Sequence, residues 1–402
     1  MTALITIVLL AAAAVAPGFD AAYRAGLTAL NKNDLATART QLETAAKIQP
    51  NSAQVWLALA QTYFKQSHPD LADAAAGKAE AFGGNQPVVL HALAFYYAEA
   101  RKPALAAAFE ARYAERTPED DDAFPRAIDL YLRAGEPKAA IGAANKAIKI
   151  DGSKPALHAL LAKAYDSDGQ FEKAIAEYRQ VVALRPFDQG SYFELSQAFL
   201  RKQKFAEALA VLQDAHARFD KSAQIELATG VAFYALRRFP EAIDSFLRTI
   251  QLAPEVEQPY VFLGRMIDVA EAKMPDVSGA MATFASSQPK NYLSSFLYAK
   301  ALAAQQADPS QTEPLLRKSI ALNPNFWESH FEMGNALEHN SDFAGAAAEY
   351  EKSATLNPKD ATTHYRLARV YDRLGKREQA AAQRVLHAKL AEQEKALKPV
   401  LK

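Results

Sequence analysis

The sequence predicts an all-α solenoid of antiparallel helix pairs, and three observations carry that prediction. Pro50, Pro118, Pro186 and Pro254 stand 68 residues apart each time, twice 34, and Pro324 and Pro358 stand 34 apart. Proline lacks the N–H and clashes with the preceding turn, so prolines on a fixed period mark where one helix of a repeating unit stops. Within a period, apolar residues recur at spacings of three and four in two successive stretches, each the face of one helix. Between the stretches stands a turn residue such as Gly169, free to take the positive φ that reverses the chain.

Composition sets the outer limits. Half of the 402 residues are hydrophobic and 23% are charged, the make-up of a folding chain rather than a disordered one. Lys+Arg and Asp+Glu balance at 46 each. A nucleic-acid binder carries a basic surplus or stripe, so no nucleic-acid partner is expected. The chain has no cysteine, which excludes disulfides, thiolate metal sites and cysteine nucleophiles and suits an oxidising compartment.

The elements follow in order. Ala3 to Ala16 is a fourteen-residue run without a charge, rich in Leu, Ile, Val and Ala. It is short for a membrane span, which needs roughly twenty apolar residues. It fits the core of a secretory signal followed by small residues. Residues 1–18 are therefore read as a signal peptide, or as an anchor if uncleaved, and the protein as exported to the periplasm or beyond. No Lys or Arg precedes the run and Pro17 follows Ala16, so a packed, uncleaved helix is the alternative. Placing unit starts at residues 19, 53, 87, 121, 155, 189, 223, 257, 293, 327 and 361 gives eleven repeats. Only the step from 257 to 293 departs from 34, by two residues. The fifth unit reads His158, Leu161, Ala162 and Tyr165, then Gly169, then Ala174, Tyr178 and Val181, and closes at Pro186. Small Ala162 and Ala174 let the two axes approach, and the large residues fill the groove beside them. Repeats one to eight occupy residues 19–272. Residues 273–292 read as irregular loop or short helix and mark the place for a hinge. Repeats nine to eleven occupy 293–380, and 381–402 form a half-polar capping helix or, alternatively, an amphipathic partner-binding one. One repeat cannot stand alone: ordering 34 residues costs on the order of 50 kcal/mol of conformational entropy. Each unit must therefore bury its face on its neighbours.

No constellation of catalytic, cofactor or metal-binding residues emerges. The eight histidines form no His-Glu-x-x-His pair, and neither a phosphate loop nor a Gly-x-Ser-x-Gly turn is present. His158, His330 and His364 share the fourth repeat position, a packing site. The acidic run Glu119–Asp122 precedes a helix start, where carboxylates cap free N–H groups and complement the dipole. The chain is read as a non-enzyme with no small-molecule substrate.

These units resemble the tetratricopeptide repeat. The second carries the family's first-helix signature, Trp56-x-x-Leu59-Ala60-x-x-Tyr63, and the tenth has Met333, Gly334, Leu337, Phe343, Ala346 and Tyr350. The resemblance implies a right-handed superhelix whose inner, concave face binds extended or helical protein segments. At 100° per residue, positions 2, 5, 9 and 12 of each first helix point away from their own hairpin, towards that face. The chain places Tyr23, Phe193, Phe331 and Tyr365 at position 5, Phe95 at position 9, and Phe64 and Tyr234 at position 12. Asp129, Lys163, Gln197, Arg265, Asp268, Asn335 and Arg369 accompany them. These fourteen residues form the candidate partner groove; packing against the adjacent repeat is the other reading of its aromatics. One subfamily grips a C-terminal carboxylate with Lys and Asn at concave positions. Here position 9 reads Leu27, Gln61, Phe95, Asp129, Lys163 and Gln197, which does not reproduce it. The resemblance implies a scaffold in the bacterial cell envelope; a cytosolic or anchored subunit of an enzyme or secretion complex is the alternative.

Overall fold

The computed structural model describes residues 18–397, so the apolar run expected to serve as a leader lies outside the described residues. The chain divides into two compact units, Met1–Ser191 and Tyr192–Lys402. In the first, five helical hairpins follow one another. They are α1 (Phe19–Asn31) with α2 (Leu35–Ile48), α3 (Ala53–Lys65) with α4 (Pro69–Gly83), and α5 (Pro87–Glu99) with α6 (Pro103–Ala114). Then come α7 (Ala123–Arg133) with α8 (Pro137–Ile150), and α9 (Pro155–Ser167) with α10 (Phe171–Leu184). Helix α11 (Gln189–Arg201) starts at the end of this unit and runs into the second. There follow α12 (Phe205–Arg218), α13 (Ala223–Ala235), α14 (Phe239–Leu252), the short α15 (Gln258–Arg265) and α16 (Met274–Ser287). The unit ends with α17 (Tyr292–Ala304), α18 (Pro309–Leu322), α19 (Trp327–His339), α20 (Phe343–Leu356), α21 (Ala361–Arg373) and α22 (Arg377–Leu397). Among the described residues there is no strand, and the all-α stack of helix pairs is the architecture the period predicts.

The hairpins are built by the same few contacts. In every one, a residue between the two helices takes a left-handed backbone, from Asn33 (φ 59°) to Gly375 (φ 73°). Only Gly135, Gly169 and Gly375 use glycine there; Ser67, Arg101, Gln203, Arg237 and Ser341 adopt the same turn at the usual steric cost. Inside the hairpin, a small residue on the first helix faces a large one on the second. A Cβ on Gly334 would lie 2.6 Å from the Tyr350 ring, and one on Gly230 2.7 Å from Phe246. These large partners are fully buried, so the close approach is what seals the core.

Adjacent repeats are joined through position 4. Its side chain reaches back six residues to the carbonyl that ends the previous unit: Trp56 to Pro50 (2.7 Å), Tyr260 to Pro254 (3.1 Å), His330 to Pro324 (3.1 Å) and His364 to Pro358 (3.1 Å). The periodic prolines thus stop one helix and present an acceptor to the next repeat. His158 binds the Gly152 carbonyl in the same way, and its Nδ1 meets Glu177 at 2.6 Å. His330 and His364 likewise meet Glu349 and Gln383 through Nδ1. Both ring nitrogens of all three histidines are engaged in packing.

Four details differ from the sequence reading. Helix α17 begins at Tyr292 with Asn291 as its N-cap, so the ninth repeat begins at 292 and not 293, and the Ser294 hydroxyl takes over the bond to the previous unit, donating to the Gln288 carbonyl at 2.9 Å. One of the two extra residues sits in the turn Gln305 to Asp308 between α17 and α18, four residues against three between α19 and α20. The other sits in the preceding repeat, where α16 starts three residues after the left-handed Glu271 rather than two. Residues 273–292 are mostly the fourteen-residue helix α16, which buries Val277, Met281 and Phe284 along one face. The irregular stretch comes earlier: α15 stops after eight residues and two 3₁₀ turns, Ile267–Val269 and Glu271–Lys273, replace its end. The expected cap at 381–402 is no separate element, because α22 runs unbroken from Arg377 to Leu397. Finally, Asp122 makes no side-chain cap to α7. Asp120 instead accepts from the Asp122 N–H and from Arg126, while Asp121 pairs with Lys154 at 2.5 Å.

Candidate partner groove

The inner-face positions of the first helices do not share one environment. In the first unit, Tyr23 is core rather than groove: it is buried, stacks on Phe19 at 5.7 Å, and burial pushes its hydroxyl up to about 12. Phe64 packs edge-on against Tyr96 of the next repeat and joins the core there. Phe95 is exposed beside His91. Asp129 pairs with Arg133 one turn on, and Lys163 stands on the surface.

In the second unit three of the candidates converge. Phe193, Gln197 and Arg265 line an open cavity of about 800 Å³ between α11, α13 and α15. Its apolar lining comes mainly from Leu200, Leu227, Val231, Val261 and Phe262. Gln224, Gln258, Glu257 and Arg201 add the polar atoms. Leu227 and Val261 occupy position 5, as Phe193 does. A search of that position for aromatics passes them over, and a search for any apolar residue finds all three. Phe262 is drawn into this wall by stacking on Phe246 at 4.8 Å. Tyr234 lies edge-on to Phe262 at 5.3 Å and is half-buried outside the lining. α15 ends at Arg265 on the rim of this cavity, and Asp268 is exposed on the first 3₁₀ turn that follows.

Further along the same unit the inner face turns polar. Phe331 packs on Tyr350 at 5.8 Å and belongs to the core of the last repeats. Asn335 accepts from the Tyr350 hydroxyl at 2.6 Å and donates to Glu332 at 3.0 Å. The same hydroxyl donates to Glu338, which Arg366 and Arg369 approach at 3.6 Å. Tyr365 is exposed, with Arg369 over its ring at 5.9 Å. Lys300 donates to the Gly264 carbonyl at 2.9 Å, a group the truncated α15 leaves without a helical partner. Burial pushes the Glu332 carboxyl above the ordinary range, and does the same to Glu328, one helical turn before it. Lys300, Arg366, Glu332 and Glu338 escape the sequence reading: Glu332 and Arg366 sit at position 6, outside the four inner-face positions, and the group meets only when three first helices stack.

Comparison with known proteins agrees with this build. No curated protein sequence matches the chain. Among solved structures, the chain is similar to one in the Naa15/Naa10 complex bound to HypK-THB, at 15% identity over 92% of this chain and 68% of that one, with a TM-score of 0.45. It is similar to one in the APC/C hetero-tetramer Cut9–Hcn1, at 13% identity over 96% of each chain and a TM-score of 0.42. Yeast Tom70 matches at 14% identity over 95% of this chain and 94% of its own, with a TM-score of 0.40. The tetratricopeptide repeat model matches residues 23–86, 125–189, 159–223, 193–257 and 298–361, together more than half of the sequence. With the repeat contacts repeated hairpin after hairpin, the chain belongs to the tetratricopeptide repeat family, a fold of protein–protein interaction.

Proposed function

We propose that this protein is a non-catalytic scaffold that holds a segment of a partner protein between α11, α13 and α15. The observation that carries the reading is the open cavity there, with half-buried Phe193, Leu227 and Val261 at one repeat position facing into it. Apolar side chains gathered in a concave, solvent-open surface gain contact area on binding at little entropic cost. A photo-crosslinking residue in place of Leu227, expressed in the native host, should trap a partner protein. The same residue in place of exposed Phe82 on the outer helix α4 should not. Val261→Asp added to the variant carrying the crosslinker at 227 should abolish the product while leaving the helical content unchanged. A product equally strong from Phe82 would overturn the reading.

The scaffold is further proposed to act after export, in the cell envelope. The support is the uncharged run Ala3–Ala16 and the absence of cysteine from the sequence. Mass spectrometry of the native protein should find a new N-terminus between Val15 and Phe19. An intact Met1 or Thr2 terminus in the cytosolic fraction would count against export.

A further inference from the structure

The polar atoms of the cavity bear on what fills it. The side-chain amides of Gln197 and Gln258 have no hydrogen-bond partner among the described residues, although both line the cavity beside the Phe193, Leu227 and Val261 column. Glu257 is engaged, accepting from Asn291 at 2.7 Å. Arg265 is exposed and forms no ion pair; its guanidinium lies 5.7 Å from the Phe262 ring centroid. A free side-chain amide offers one donor face and one acceptor, the complement of a peptide backbone unit. A helix has its backbone groups already paired and gains nothing from such amides; an extended chain has them free. An unpaired guanidinium beside apolar surface favours a carboxylate, which it grips as a fork. Position 9 reads Gln197, Val231 and Arg265 along the cavity, so the Lys and Asn set that grips a chain terminus is not assembled there.

We infer that the cavity takes an extended, internal segment of its partner. The segment presents apolar side chains to Phe193, Leu227 and Val261, its backbone to the Gln197 and Gln258 amides, and one Asp or Glu to Arg265. This rests on the scaffold reading above and adds to it the conformation and charge of the ligand.

The test pans the full chain against random twelve-residue peptides displayed with both ends fused inside a phage coat protein, so that no peptide has a free carboxylate terminus. Enriched sequences should alternate apolar and polar residues and carry one acidic residue. Synthetic copies blocked at both ends should bind, and exchanging the acid for its amide should weaken binding about tenfold, the loss of one charge-assisted pair. Panning on Arg265→Glu should enrich lysine or arginine instead, and Arg265→Gln should remove the preference. Both variants should melt with the parent, since Arg265 is exposed. Enrichment that Arg265→Glu leaves unchanged, apolar residues at helical spacing, binding only by free C-termini, or no enrichment would each overturn the inference. If the Leu227 crosslink persists in any of those cases, the scaffold reading stands and only the ligand chemistry is wrong. If the crosslink is lost too, both fail.

Discussion

At the scale of single residues, the repeat recycles a few side-chain solutions, and each can be tested alone. His330 is buried with both nitrogens bonded, to Glu349 and to the Pro324 carbonyl. His330→Leu leaves a carbonyl and a carboxylate without their partner and should cost about 1–3 kcal/mol by urea denaturation. His330→Tyr should cost less, because Tyr260 already makes the carbonyl bond at the same position. The left-handed turn residues give the opposite sign. Arg237→Gly should stabilise by about 0.5–1 kcal/mol, as glycine takes that backbone without strain. Gly169→Ala should destabilise by about 1–2 kcal/mol although nothing lies within 4 Å of the added methyl, so the cost is conformational. Glu332 supplies a pH signature. Its native carboxyl holds the proton to higher pH than the unfolded chain does, so the native state binds more protons above the ordinary value of 4.5. Its contribution to stability therefore improves as pH falls from neutral towards 4.5. Lys300, Arg366 and Asn335 oppose the shift and Asp268 adds to it, without reversing its direction. Glu332→Gln should raise the melting temperature at pH 7 and flatten the pH dependence in that window; an unchanged slope would show that the carboxylate is well solvated.

At the scale of elements, α15 is where the repeat departs from itself. Position 4 and the left-handed turn residue, here Glu271 at φ 41°, are both retained, so the hairpin still closes. The last turn and a half of the first helix is exchanged for 3₁₀ turns, whose hydrogen bonds are poorer. Lys300 from α17 compensates by binding the Gly264 carbonyl. Lys300→Met should therefore speed amide exchange over residues 264–273 by mass spectrometry, with α1 to α10 unaffected. Equal protection in both proteins would show that the bond adds nothing to the junction. Arg265, the last residue of the shortened α15, also lines the cavity between α11, α13 and α15, which places the irregular helix at the edge of that groove.

At the scale of the whole molecule, stability is a sum of hairpins and the interfaces between neighbours. A core lesson in one repeat should then spread to the adjacent ones and fade. Tyr350→Ala removes a fully buried ring and its bonds to Asn335 and Glu338, a loss of about 3–5 kcal/mol for a core aromatic. Hydrogen exchange should rise across α17 to α22 while α1 to α10 keep their protection. Uniform loss throughout the chain would instead mark a single cooperative unit.

The sequence by itself determined the period, the helix pairs and the packing face of each helix. These depend on residues three and four apart, which are neighbours in the chain as well as in space. Prolines, Trp56, His330 and Gly169 could be assigned from spacing alone because their partners lie within one repeat or six residues upstream. Tertiary structure decided the rest. Phe193, Phe331 and Tyr365 share a repeat position, yet one lines a cavity, one packs on Tyr350 and one is exposed. Their fates depend on how closely the following repeat approaches, which no residue of their own helix sets. The two extra residues were misplaced by period counting, since one falls after Glu271 and the other after Gln306, in the turns of two successive hairpins that only the folded chain shows. The Lys300, Glu332 and Glu338 network was hidden for the same reason: charges on successive first helices, about 34 residues apart, meet only after the repeats have stacked.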